Sequence, residues 1–120
     1  MLRLLVVCLG SAVGGGARYL VSTWVVAPYG TLAVNVLGSF LIAFIMFAGL
    51  ESAAISPTTR LALTTGVMGG FTTYSAFSFD TWSYVRQGAW GTAALYTLVT
   101  VVVCFGACAL GWVTARALLS

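Results

Sequence analysis

Apolar residues run along this chain in four stretches, each about the length of a membrane span, and polar residues are confined to the ends of these stretches or to a few regularly spaced positions inside them. The pattern predicts helices over residues 4–26, 31–50, 61–84 and 92–113, with Pro28, Pro57 and Gly88 marking three turns. A hydrocarbon core about 30 Å thick needs roughly 20 residues of helix, so 120 residues hold four spans with short connections and no extramembrane domain. The third stretch breaks the pattern. Gly69-Gly-Phe-Thr-Thr-Tyr-Ser-Ala-Phe-Ser78 places two glycines and five hydroxyl side chains within an apolar run. Backbone groups freed by an interrupted helix cost several kcal/mol each in hydrocarbon, so a break survives there only where protein, water or an ion satisfies them. An interrupted third helix, with function at the interruption, is the expectation.

Three further periodic features fall on the other helices. Gly10, Gly14 and Ala17 or Arg18, with Ser11 and Gly15 beside them, give the first helix small-xxx-small spacing, which serves either packing among the four helices or a contact between subunits. Thr31, Asn35 and Ser39 recur every four residues and project from nearly one face of the second helix. A single polar group of this kind is ordinarily accounted for by an interhelical hydrogen bond worth about 0.6 kcal/mol; three in register favour a lined pathway. The fourth helix repeats the device with Thr92, Tyr96, Thr100, Cys104 and Cys108, the two cysteines being the half most easily explained as packing.

Composition agrees with the pattern. The chain is 61% hydrophobic and 6% charged with a mean hydropathy of +1.07, whereas a soluble domain carries about a quarter charged residues. The first apolar run continues too far for a cleaved signal peptide and is expected to stay. Five arginines, no lysine, no histidine and two acids give a net charge of +3, too sparse and scattered for a nucleic-acid surface. With four spans, Arg3, Arg60, Arg116 and Glu51 share one side and Arg18, Arg86 and Asp80 lie nearer the other. An arginine difference of one is a weak orienting bias, compatible with insertion in both directions. Cys8, Cys104 and Cys108 lie in apolar spans and read as reduced, packed thiols.

The polar inventory narrows the chemistry. Metal catalysis and triad hydrolysis need clusters of His, Cys or acids that this chain lacks, so enzymatic readings are set aside. Proton-coupled export needs an ionisable group in the membrane centre, and both Glu51 and Asp80 fall near predicted helix ends. What remains inside is neutral donors: the Asn35 amide, the hydroxyls of Thr31, Ser39, Thr72, Thr73, Tyr74, Ser75, Ser78 and Thr100, and Tyr96. Donors without fixed negative charge suit a small anion, and the ring edges of Tyr74 and Phe77 can add positive quadrupole, whereas Phe71 and Phe79 read as packing. At the break, carbonyls ending the first half-helix favour a cation at 69–72, and amides opening the second favour an anion along 73–77. Arg18, about 21 Å along the first helix from Leu4, either snorkels to the interface or lines an aqueous vestibule that concentrates anions.

Gly14-Gly-Gly-Ala-Arg18, Gly30-Thr-Leu-Ala-Val-Asn35 and the 69–78 segment together resemble the signature segments of the Fluc (CrcB) fluoride channels, in order and spacing, through all four spans. The resemblance implies an all-α membrane protein that pairs as an antiparallel, dual-topology homodimer with two fluoride pores and a structural sodium ion at the dimer interface. It implies that Asn35 is the pore asparagine and Arg18 the vestibule arginine, with Tyr96, Thr100 and Cys104 as the fourth-helix track. Tyr74 and Phe77 take the places of the two pore phenylalanines, Thr73 and Ser75 supply hydroxyls of the broken segment, and Gly69 and Thr72 supply carbonyls to sodium. Asp80 stands where many members have Glu, Tyr74 where Phe is usual, and Cys104 where Ser is common. The implied activity is passive fluoride export across a bacterial plasma or inner membrane. The rival is a small dual-topology multidrug exporter, which should carry a Glu in its first helix; this chain has Arg18 there and no acid.

Overall fold

The computed structural model describes residues 1–120, and every ordered element in it is helical. Helix α1 (Leu2–Trp24) and helix α2 (Tyr29–Leu50) are joined by a short turn at Pro28, which precedes α2 as its cap. The third segment starts four residues earlier than its pattern suggests, because Pro57 opens α3 (Pro57–Leu61) as a first-turn residue and Ser56 caps it by accepting from the Thr59 amide. Seven residues of π-helix follow, Ala62–Met68, then one turn of α4 (Gly69–Phe71), an extended pair at Thr72 and Thr73, and α5 (Tyr74–Arg86). Gly88, with a φ of +77°, turns the chain into α6 (Trp90–Leu119). The break expected within 69–78 therefore falls at Thr72–Thr73, and the last helix runs six residues past the predicted end at 113.

Three helices, Leu2–Trp24, Tyr29–Leu50 and Trp90–Leu119, are long and apolar enough to cross a membrane. The third segment is divided and does not count as a continuous crossing helix. Two packed pairs make up the bundle, α1 against the π segment and α4, and α2 against α6. The small-residue stripe of α1 serves the first of these. A Cβ on Gly10 would stand 2.6 Å from the Ala62 carbonyl oxygen, and one on Gly14 would strike the Val67 carbonyl, so these helices approach backbone to backbone. On the second pair, Gly111 gives α6 the same closeness to the Phe40 carbonyl of α2. The stripe that sequence left open between intramolecular and intersubunit contact is thus used within the chain.

The two turns gather at one end of the bundle, where Ala27, Pro28, Asp80, Ser83, Tyr84 and Gln87 border a common cavity. Exposed aromatic residues cluster at this end: Tyr19 and Trp24 late in α1, Tyr29 at the start of α2, Trp82 late in α5 and Trp90 at the start of α6. The opposite end, formed by Arg3, Met46, Pro57 and Arg60, exposes Met1, Leu2, Leu50, Leu118 and Leu119 instead.

Candidate functional site

The interruption at Thr72–Thr73 is held by one side chain. Asn35, half-buried on α2, accepts from the Thr73 amide through Oδ1 at 2.8 Å and donates from Nδ2 to the Thr73 carbonyl at 3.0 Å. It replaces both backbone partners that an unbroken helix would supply at that residue. The Thr73 amide would otherwise have closed a turn on the Gly69 carbonyl, so the Gly69 oxygen loses its helical partner. One residue further on, Arg18 reaches across from α1 and donates from Nε to the Gly70 carbonyl at 3.0 Å. A weaker contact at 3.4 Å joins the Ser11 hydroxyl to the Gly66 carbonyl. Gly70 sits so close to α1 that a Cβ there would strike the Ser11 carbonyl. The polar edge of α1 thus supplies a donor to the freed Gly70 carbonyl of the first half-helix.

The second half-helix is capped locally: the Thr73 hydroxyl accepts from the Ala76 amide at 3.1 Å, with the Ser75 hydroxyl 3.3 Å away. Beside this cap lies a cavity of about 360 Å³. Asn35 and Ser39 of α2, Thr72, Thr73, Tyr74 and Phe77 of the broken segment, and Thr100 and Cys104 of α6 border it, and no charged residue does. Eight positions chosen from the sequence on three elements are thereby brought to one space.

The hydroxyls in this cavity are not equivalent. Ser39 donates to the Asn35 carbonyl at 2.6 Å and Thr72 to the Met68 carbonyl at 2.9 Å, both four residues back along their own helices, so each must rotate away before it can serve an anion. Thr100 differs: it is 7% exposed, and its Oγ1 is buried with no hydrogen-bond partner. An unmade hydrogen bond at a buried hydroxyl costs about 1–3 kcal/mol, and here the hydroxyl borders a cavity where a ligand can supply the acceptor. Asn35 also keeps its second amide proton, since only one is spent on Thr73.

Aromatic rings continue the line. Tyr74, 80% exposed, meets Phe77 edge to face with centroids 5.6 Å apart, and Phe77 lies 5.4 Å from the Tyr96 ring. Tyr96 donates to Asp80 through a long 3.3 Å contact. Asp80 in turn borders the second cavity, about 180 Å³, at the end where the turns meet. Cys104, Thr100 and Tyr96 therefore lead along α6 from the break to Asp80.

Of the site residues expected from the sequence, Arg18, Thr31, Gly69, Ser75, Asp80 and Tyr96 do not border the main cavity. Arg18 borders neither cavity, its Nε–H being directed to the Gly70 carbonyl. Thr31 and Tyr96 lie beyond the main cavity, toward Asp80. Of the carbonyls at 69–72, Gly70 is already taken, while Gly69 is exposed and Thr72 half-buried. Sequence reasoning missed Gly38, which lines the cavity and accommodates the Thr72 methyl where a Cβ would strike it; its place three residues after Asn35 on the same face was the available signal.

The sequence profile of the family described as CrcB-like protein, Camphor Resistance (CrcB), matches residues 5–112. Among curated relatives, a protein of Anaeromyxobacter sp. (strain K) named fluoride-specific ion channel FluC is 56% identical over 87% of this chain and 87% of its own. A protein of the same name from Anaeromyxobacter dehalogenans (strain 2CP-1 / ATCC BAA-258) is 55% identical over 89% of this chain and 90% of its own. Another from Sorangium cellulosum (strain So ce56) is 47% identical over 93% of both. The match takes in α1, α2, the whole broken segment and most of α6, and with it every residue of the cavity: this chain belongs to the CrcB family.

Proposed function

We propose that this protein is a fluoride-selective channel through which the ion passes without coupling to ATP or protons. The observation that carries the reading is the cavity at the helix break, lined without a fixed charge and holding the buried, unpartnered Thr100 hydroxyl across from the Asn35 amide. Neutral donors replace part of the ion's hydration shell, and the absence of a positive charge lets the ion leave again. Selectivity over chloride follows from fluoride's small size and stronger hydrogen bonding. Fluoride then moves along Ser39, Cys104, Thr100 and Phe77 toward Tyr96, Thr31 and Asp80, with Thr73 and Tyr74 at the rim of the cavity and the Ser75 hydroxyl behind Thr73. Because a weak acid enters cells neutral and ionises inside, a passive path in the plasma or inner membrane suffices for export; an inside-negative potential adds about 2.3 kcal/mol per charge at 100 mV. The chain is a channel and not an enzyme.

The same reading has the broken segment complete a fourth crossing, and two copies pair antiparallel as a dual-topology homodimer within the lipid. The one-sided exposure of Tyr74 and Gly69 supports a partner surface at the break. Sodium fits the oxygen donors there: the Gly69 carbonyl lacks a helical partner, and Thr72 adds a second. Bound sodium would neutralise the negative ends of the half-helices. No group of His, Cys or acids offers a competing site. The multidrug exporter is disfavoured, since Leu2–Trp24 carries no acid.

Purified protein in liposomes loaded with potassium fluoride or potassium chloride and shunted with valinomycin tests the reading by ion-selective electrode. Fluoride leaves rapidly and chloride does not; chloride leaving as fast, or neither ion leaving from folded protein, overturns it.

A further inference from the structure

The end of the bundle away from the two turns carries a cavity of about 250 Å³ that belongs to no part of the fluoride path. Arg3 from the start of α1 and Arg60 from α3 both line it, together with Thr64 and Thr65 of the π segment and Met46 of α2. Of the five arginines only Arg18 donates a hydrogen bond from its side chain within the chain, so two unpaired guanidinium groups share one small polar space. Arg60 is held in place: its Cβ, Cγ and Cδ lie flat across Gly49, where an added Cβ would stand 2.6 Å from Cδ. The Thr64 hydroxyl is spent on the Arg60 carbonyl at 2.8 Å, which leaves the exposed Thr65 hydroxyl free. Directly beside Arg3, Leu2, Leu4 and Leu5 are exposed.

Two guanidinium groups and a hydroxyl match a phosphate monoanion, and the leucines beside them match acyl chains. The geometry points to a binding site for the headgroup of an anionic glycerophospholipid, with Arg3 and Arg60 as its charge partners and Thr65 as a hydroxyl donor. The site depends on the chain lying in a membrane and is independent of which ion the cavity at the break conducts. Free phosphate shares the headgroup's chemistry but gains nothing from Leu2, Leu4 and Leu5. The cavity's place at the bundle end, where helix termini meet the lipid headgroups, favours the lipid source.

Native mass spectrometry of the detergent-purified, delipidated protein tests the site, with phosphatidylglycerol and phosphatidylcholine of identical acyl chains added in equal amounts and inorganic phosphate as competitor. Phosphatidylglycerol is retained in preference, and Arg3→Gln and Arg60→Gln each lower its retention about fivefold, while Arg86→Gln at the other end leaves it unchanged. Arg60→Gln keeps the Cβ, Cγ and Cδ that pack on Gly49, and Arg3 is exposed, so both variants are expected to fold. Equal retention of the two lipids, or full retention by the double variant, overturns the site. Displacement of phosphatidylglycerol by an equal concentration of inorganic phosphate overturns the lipid assignment.

Discussion

Thr100 and Asn35 border the same cavity and are expected to fail in different ways when altered. The Thr100 hydroxyl is buried and makes no hydrogen bond, so Thr100→Val removes a donor from the path without removing a contact from the fold. Its transition temperature should hold or rise. Fluoride flux in the liposome assay should fall about ten- to a hundredfold, from a charged hydrogen bond worth about 1.5–3 kcal/mol. Asn35 holds both backbone groups of Thr73. Asn35→Ala strands a part-buried amide and a carbonyl at about 1–3 kcal/mol each, and both flux and the denaturant midpoint should drop together. Sequence put both residues on the pathway from their spacing of four. It could not separate them, because whether a donor faces an ion or a backbone depends on where the break falls, and that is set by packing between helices.

At the scale of the element, the broken segment is held between α1 and α2. Glycine and hydroxyl content located the interruption, since these residues in an apolar run have few other uses. The π-helical stretch Ala62–Met68 had no such signature: ALTTGVM reads as ordinary helix, and its wide turn lies where Gly10 and Gly14 of α1 fit closely against it. The role of Arg18 was likewise hidden. Its position along α1 suggested solvent or a vestibule, and only the loss of a helical partner at Gly70 explains why the guanidinium turns inward. Gly70→Ala tests this packing, because the new methyl meets the Ser11 carbonyl. Overpacking costs about 1–3 kcal/mol, and the shift separates Arg18 from Gly70. The variant should therefore melt lower and conduct less, whereas Gly91→Ala, which meets nothing, should match the parent in both measurements.

For the whole molecule, the arginines give little direction: three fall toward one end and two toward the other. A single cysteine at position 24, in a background with Cys8, Cys104 and Cys108 replaced by Ala, reports orientation through the exposed end of α1. A membrane-impermeant maleimide added outside sealed vesicles should label about half of the protein, and the rest should react only after lysis; complete labelling from one side would exclude dual insertion. The aromatic ends of the chain extend this picture. Trp24, Tyr29, Trp82 and Trp90 gather where the two turns meet, and no comparable group is exposed at the other end. Such side chains anchor a protein at the headgroup level, so each subunit is moored at one interface and free to slide at the other. In the antiparallel pair proposed above, the moorings of the two copies would lie on opposite leaflets. A bilayer thicker or thinner than the match would then pull the two copies of such a pair past each other, and hydrophobic mismatch would become a shear load on the surface they share.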